Sequence, residues 1–159
     1  MRNATRDGFK IEYYTPMSQG TRAHQVGLYV VCDAPIVMLC DAPTRYEAEP
    51  DCTAFIAQMP TDIDQTEILS GKMGEWIVSA RKSGDNWYVG GLTNWTAREV
   101  EVAFSFLEEG KEYTAQILSD AKDADVNPTK YTITTQTVTS ATALNIAMAP
   151  GGGFTLKLQ

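Results

Sequence analysis

The hydrophobic period changes near Pro60, and that switch limits what the chain can fold into more than any other feature. Before it, Ala23, Val26, Gly27, Val30, Val31 and Ala34 recur at i, i+3, i+4, i+7, i+8 and i+11. They form one apolar stripe of a helix that begins after Ser18 and is ended by Pro35. Beyond Pro60 the repeat is two. Val100, Val102, Phe104 and Phe106 share one face of residues 99–106, and Glu99, Glu101 and Ser105 share the other, the mark of a half-buried antiparallel strand. The same alternation returns at Tyr113, Ala115 and Ile117, at Tyr131 and Ile133, at Leu144, Ile146 and Met148, and at Phe154, Leu156 and Leu158.

A hairpin anchors this second part. The strand-like residues 75–81 lead through Gly84-Asp85 into Asn86-Trp87-Tyr88-Val89, and Gly-Asp suits a tight turn between twisted strands. Other turn signals fall at Gly71, Gly110, Asn127-Pro128, Ser140 and Pro150-Gly151-Gly152-Gly153. The expectation is an all-β antiparallel sandwich of about eight strands. Its longest connection, residues 119–128, is acidic and expected to be exposed.

The first part reads differently. Leu28, Tyr29 and Cys32 widen the helical stripe until most of that helix is apolar, so it needs cover on several sides. Residues 36–40 are a continuous apolar run whose length suits a buried strand of a parallel sheet, with a helical segment left open by periodicity alone. Thr44-Arg45-Tyr46-Glu47 has the spacing of a capping box, and Phe55, Ile56 and Met59 form a short stripe before Pro60. Helix, strand, helix is α/β grammar, yet a single buried strand has no partners.

Composition removes several functions. A net charge of −7 over 159 residues, with 5 basic and 9 acidic residues before Thr66 and 8 and 11 from it onward, leaves neither half basic enough to grip nucleic acid unaided. No apolar run is long enough to span a membrane and none follows Met1 as a signal-peptide core, so a soluble chain is expected. One histidine and three cysteines without CxxC spacing argue against structural zinc, and Cys32, Cys40 and Cys52 are expected to be buried, inert thiols.

Few residues qualify for chemistry. His24 lies on the polar side of the first helix, with no Ser or Cys placed to use it as a base. Asp33, at the helix end, reads as structural. Asp41 follows the apolar run, where a β/α barrel would place an active-site residue, although a carboxylate there also suits the turn into Ala42-Pro43. Asp123-Ala124-Asp125-Val126-Asn127 imitates a calcium loop and fails, because Pro128 replaces the glycine and Thr134 stands at the bidentate position. Trp87 shares a face with Val89 and Gly91, and Trp76 with Val78 and Ala80, which favours the core for both. Trp95, at a strand end, is the tryptophan expected to be exposed and available to a sugar ring.

Met17-Ser18-Gln19-Gly20-Thr21-Arg22-Ala23-His24-Gln25, Phe55-Ile56-Ala57-Gln58-Met59-Pro60, Gly71-Lys72-Met73-Gly74-Glu75, Asp85-Asn86-Trp87-Tyr88-Val89-Gly90, Thr93-Asn94-Trp95-Thr96 and Ala149-Pro150-Gly151-Gly152-Gly153-Phe154 occur in this order. Together they resemble the C-terminal end of family 97 glycoside hydrolases over nearly the whole chain. The resemblance implies an α+β chain in which residues 1–62 are the helical and βα remnant of a (β/α)8 barrel and residues 63–159 a C-terminal accessory or oligomerisation sandwich. It implies a parent enzyme that hydrolyses α-glucosides or α-galactosides with calcium in its active site, placed outside the cytoplasm of a bacterium. The remainder of the barrel, an oligosaccharide substrate and a second copy of the chain are the implied partners, with neither nucleic acid nor membrane among them. The catalytic and calcium-binding carboxylates of such an enzyme would precede Met1, so no catalytic residue, metal ligand or cofactor is assigned to this chain. Gln19, Arg22, Asp41 and Trp95 remain as substrate-binding candidates by position. Glycoside hydrolysis needs two carboxyl groups roughly 5–10 Å apart across one bond, and the acidic residues here are scattered. The fragment alone is therefore expected to be inactive. A carbohydrate-binding module using Trp95 and a purely structural domain are the other readings.

Overall fold

A computed structural model describes residues 2–34, 38, 39 and 41–159. After two short strands, β1 (Asn3–Ala4) and β2 (Ser18–Gln19), come three helices, α1 (Arg22–Val31), α2 (Pro43–Glu47) and α3 (Pro50–Ile56). Eight strands follow: β3 (Gln65–Lys72), β4 (Trp76–Ser83), β5 (Asn86–Thr93), β6 (Arg98–Ala103), β7 (Tyr113–Asp120), β8 (Tyr131–Val138), β9 (Ala143–Met148) and β10 (Gly153–Leu158). Six of them make one sheet in the order β3-β4-β5-β10-β7-β8, every neighbour antiparallel, while β6 and β9 pair antiparallel in a second sheet. β1 and β2 form a separate parallel pair.

Alternation decides which side chains meet. Val78, Ala80, Trp87, Val89, Leu156, Leu158, Ala115 and Ile117 project from the inner face of the large sheet. They pack with Val100, Val102, Phe104, Ile146 and Met148 from the small sheet and its flank. Trp87 is 5% exposed, its ring 4.7 Å from that of Phe106, and Trp76 is partly buried against the same core. Gly84, with φ 57°, closes the β4–β5 hairpin, where Ser83 faces Asn86. The turn before it lies at Gly74, with φ 75°, rather than at Gly71, which stays inside β3 opposite Ile77.

The first part departs from expectation in three places. Met38 and Leu39, in the run expected to be a buried strand, are exposed and outside any strand, whereas Pro35, Ile36, Val37 and Cys40 lie outside the described residues. Among the described residues no strand of the large sheet includes them. α2 starts at Pro43 with Ala42 as an N-cap that offers no side-chain bond, so Thr44 is inside the helix instead of capping it. Proline, with its preset φ and missing N–H, fixes the first helical residue. Cys52 is buried as expected but Cys32 is exposed, because α1 ends at Val31 and turns Cys32 out of the stripe.

Candidate functional site

The outer face of the large sheet is where the two parts of the chain meet. α1 lies across β5 and β10, and its Ala23 and Val26 join Leu118 of β7 and Tyr46, Cys52 and Phe55 of the other helices in a second core. Ile56, Met59, Tyr131 and Ile133 close it, so α3 covers β7 and β8.

Glycines allow this approach. A Cβ on Gly90 would stand 2.8 Å from Val30 Cβ and 3.1 Å from the Gly27 carbonyl, and one on Gly153 would stand 2.8 Å from His24 Cα. Sheet and helix backbones therefore nearly touch, which no larger residue permits. On the opposite face Gly91 makes room for Phe154, whose ring would lie 2.1 Å from a Cβ there.

The helix N-terminus is capped by Thr21 and tied to the sandwich by two backbone bonds. The Thr21 side chain accepts from His24 N at 3.0 Å, the Gly151 carbonyl accepts from Thr21 N at 2.9 Å and the Pro128 carbonyl accepts from Arg22 N at 2.7 Å. Donors that an isolated helix leaves to water are satisfied by loops more than a hundred residues away in sequence. His24 Nδ1 donates to the Gly152 carbonyl at 3.0 Å. Its polar side of the helix is thus the docking side, not the solvent side. Asp120 Oδ2 accepts from Ala149 N at 2.9 Å and Gly153 N at 3.0 Å, fixing the glycine loop from beneath. Burial raises the Asp120 pKa above the ordinary 3.8; the Thr21 hydroxyl, those two N–H groups and His24 oppose this without cancelling it. At the other end of α1, Arg81 donates to Asp33 at 2.9 Å and to the Val31 carbonyl at 3.1 Å, which gives Asp33 its structural role.

The substrate-binding candidates are spread along this interface and do not converge on a cleft. Gln19 is an exposed residue of β2. Arg22 is buried, with its guanidinium 2.7 Å from Glu49 and stacked 5.6 Å from the Tyr131 ring centroid. Asp41 accepts the Ala42 N–H at 2.8 Å, as a turn residue does. Trp95 is half-buried, with its ring over Gly151, where a Cβ would meet it at 2.5 Å. That ring is a lid on the glycine loop rather than an open platform.

The acidic groups are engaged in holding structure. Glu75 pairs with Lys72 and, at 2.8 Å, with Arg98, whose charges hold its pKa below the usual value. Asp123, in the calcium-like loop, accepts from Lys130 Nζ and Asn127 Nδ2, both at 2.9 Å. A calcium ion there would have to displace an ammonium group, so those residues do not fit it. Among the described residues no cluster of three or more His, Cys, Asp or Glu could hold a metal. Burial pushes the Cys52 thiol up to about 11, which keeps it protonated. What the site can do is bind one part of the chain to another.

Of the residues that carry this interface, Gly90 and Gly153 figure in the sequence reading only within motifs and a turn, and Asp120 only within the acidic connection 119–128. Two adjacent glycines inside a strand were the available signal, since glycine there marks close backbone approach.

Comparison with known proteins agrees with this division of labour. Residues 62–159 match the model of the family described as glycosyl-hydrolase 97 C-terminal, oligomerisation. The whole chain is 47% identical to a retaining α-galactosidase of Bacteroides thetaiotaomicron and spans 24% of that protein. An 80-residue stretch, half of the chain, is 38% identical to a probable retaining α-galactosidase of Streptomyces bingchenggensis and spans 13% of it. Among solved structures, a glycoside hydrolase family 97 enzyme of Pseudoalteromonas sp. strain K8 in complex with acarbose superposes with a TM-score of 0.85 at 38% identity. That superposition covers 88% of this chain and 22% of the enzyme. A β-arabinopyranosidase shares the fold at 21% identity and a TM-score of 0.74, over 89% of this chain and 22% of its own.

Proposed function

Because the chain belongs to the family of glycosyl-hydrolase 97 C-terminal oligomerisation domains, we propose that it is the C-terminal segment of an α-galactoside hydrolase. In this reading residues 63–159 are the accessory sandwich and residues 1–62 the end of the catalytic barrel. The observation that carries it is the docking of α1, whose glycine-lined seat and borrowed capping groups fasten the first part of the chain to the second. A sandwich serving only as a free module would not need a sheet face shaped to a helix.

The favoured substrate is an α-galactoside, on the strength of 47% identity to the Bacteroides α-galactosidase along all 159 residues. The bond-breaking carboxylates, and the calcium implied for the parent, belong upstream of this segment. Its own contribution is mechanical: it closes one side of the barrel and offers surface for assembly. The isolated chain should give no measurable turnover of p-nitrophenyl α-galactoside or α-glucoside. Sedimentation should find it, or the longer enzyme containing it, self-associated. Turnover by the isolated chain would refute the placement of the catalytic groups, and a monomer at every concentration in both forms would refute the oligomerisation role.

A carbohydrate-binding role for Trp95 has less support, since its ring lies against Gly151. Titration with melibiose or maltotriose should leave the tryptophan fluorescence unchanged.

A further inference from the structure

The outer sheet face is open along β3 and at the Ile77 end of β4. Strands lie roughly 4.8 Å apart and packed helices roughly 10 Å apart, so one helix covers about two strands and six strands need three helices. α3 covers β7 and β8, and α1 covers β10 and β5 and reaches β4, where Ser79 and Arg81 are buried. The third position, over β3 and the Ile77 end of β4, holds a hollow of about 620 Å³ walled by Ile68, Ile77, Leu92 and Met73. Ile68 is 63% exposed and Met73 fully exposed, although both border an apolar surface. Leu92 joins the hollow to the existing interface, because its Cδ2 lies 2.7 Å from where a Cβ of Gly27 would be.

We infer that this hollow seats one more amphipathic helix, supplied by the catalytic region that precedes this segment in its longer relatives. The inference rests on the proposed place of the chain at the C-terminal end of such an enzyme. Continuity of the helical layer favours this occupant, as does the length of the Bacteroides relative, about four times that of the segment it shares with this chain. The described residues of a second copy have no spare helix to offer. Among the described residues, α1 and α3 already bury their apolar faces and α2 has only five residues. Strand addition at this edge is also disfavoured, because β3 carries an irregularity between Ile68 and Ser70 that breaks its register. Of the polar side chains lining it, Lys72, Glu75, Thr93 and Asn94 are already bonded within the chain, which leaves a sugar few partners.

The test is a thiol-labelling footprint of Ile68→Cys, read peptide by peptide by mass spectrometry. It compares the 159-residue chain with a chimera in which residues 1–159 replace the matching C-terminal segment of the Bacteroides α-galactosidase. Labelling at position 68 should be independent of concentration in the short chain and at least tenfold slower in the chimera. A rate that falls as the short chain is concentrated would hand the hollow to a second copy. An equal rate in both proteins would leave it open to solvent. Either result overturns the inference.

Turnover of p-nitrophenyl α-galactoside by the same chimera keeps the two proposals apart. An active chimera with an unprotected position 68 sinks only the seated helix, whereas protection without turnover supports the seated helix and counts against the hydrolase reading. Ile68→Asp gives a second measure should the cysteine chimera misfold. It should leave the melting temperature of the short chain within about 2 °C and lower that of the chimera by more than 5 °C; equal shifts would also overturn the inference.

Discussion

The two faces of the six-stranded sheet follow opposite rules. The inner face presents large side chains, Trp87, Val89, Leu156 and Leu158 among them, which interlock with Val102, Phe104 and Met148. The outer face, where α1 crosses it, is built from Gly90, Gly153 and the fully buried Thr155, so that the helix backbone can come down onto it. A face of large residues can be satisfied by another sheet of the same domain. A face of glycines is useless until a specific partner arrives, and a glycine there loses more freedom on folding than any other residue. The inner face makes the sandwich, and the outer face makes it part of something larger.

The strongest blow to the comparison should come from the inner side. Phe154→Ala empties a fully buried ring site over Gly91 and should cost about 3–5 kcal/mol in urea denaturation. A loss below about 1 kcal/mol would mean that the inner face is not a close-packed core.

Gly90→Val works on the outer side alone. The new side chain strikes Val30 and the Gly27 carbonyl, so α1 should lift at a cost of about 1–3 kcal/mol while the sandwich stays folded. Cys52 reports this, because it is packed with Ala23 and Val26 and its thiol is pushed up to about 11. Alkylation of Cys52 at neutral pH should be slow in the parent chain and many times faster in the variant. Unchanged protection would show that α1 tolerates a side chain at Gly90.

Asp120 offers the finest probe. Asp120→Ala orphans two N–H groups of the glycine loop and should cost about 1–3 kcal/mol, whereas Asp120→Asn keeps an acceptor and should cost less than about 1 kcal/mol at neutral pH. The folded pKa is raised, so the folded state holds this proton more tightly than the unfolded state. The Asp120 contribution therefore favours folding most at acid pH and declines as pH rises from 3.8 through the raised value. Denaturation at several pH values should show that decline in the parent chain and lose it in Asp120→Asn. A parent stability that instead rises over this window for Asp120's sake would mean that the N–H donors outweigh burial.

The two faces also differ in how far the sequence reveals them. Period-two alternation is enough to place Trp87, Val100, Leu156 and most of the inner core, because one-sided burial writes itself into every second residue. The helical repeat from Ala23 to Val31 likewise marks α1. The partner of that helix leaves only the adjacent glycines Gly90 and Gly91 as its trace, since glycine has no side chain to contribute to any hydrophobic pattern. His24 misleads for a related reason: a polar residue reads as solvent-facing until a distant carbonyl, here that of Gly152, is known to be its acceptor. Trp95 misleads similarly, because the surface that covers it is the backbone of Gly151. Met38 and Leu39 show the limit of composition, for an apolar run cannot state whether its cover is present.

The position of β10 has a consequence for how the molecule is made. This strand, the tenth in sequence order, lies between β5 and β7 in the middle of the sheet, and the loop before it supplies the acceptor for His24 across 128 residues of sequence. During synthesis at roughly 5–20 residues per second, α1 and most of the strands must wait for residues 149–158 before either face can close. Contacts this remote in sequence slow folding and leave half-built edges exposed meanwhile. Until residues 149–158 emerge the sheet lacks its centre, and a truncation before Gly153 would remove that centre rather than trim an edge.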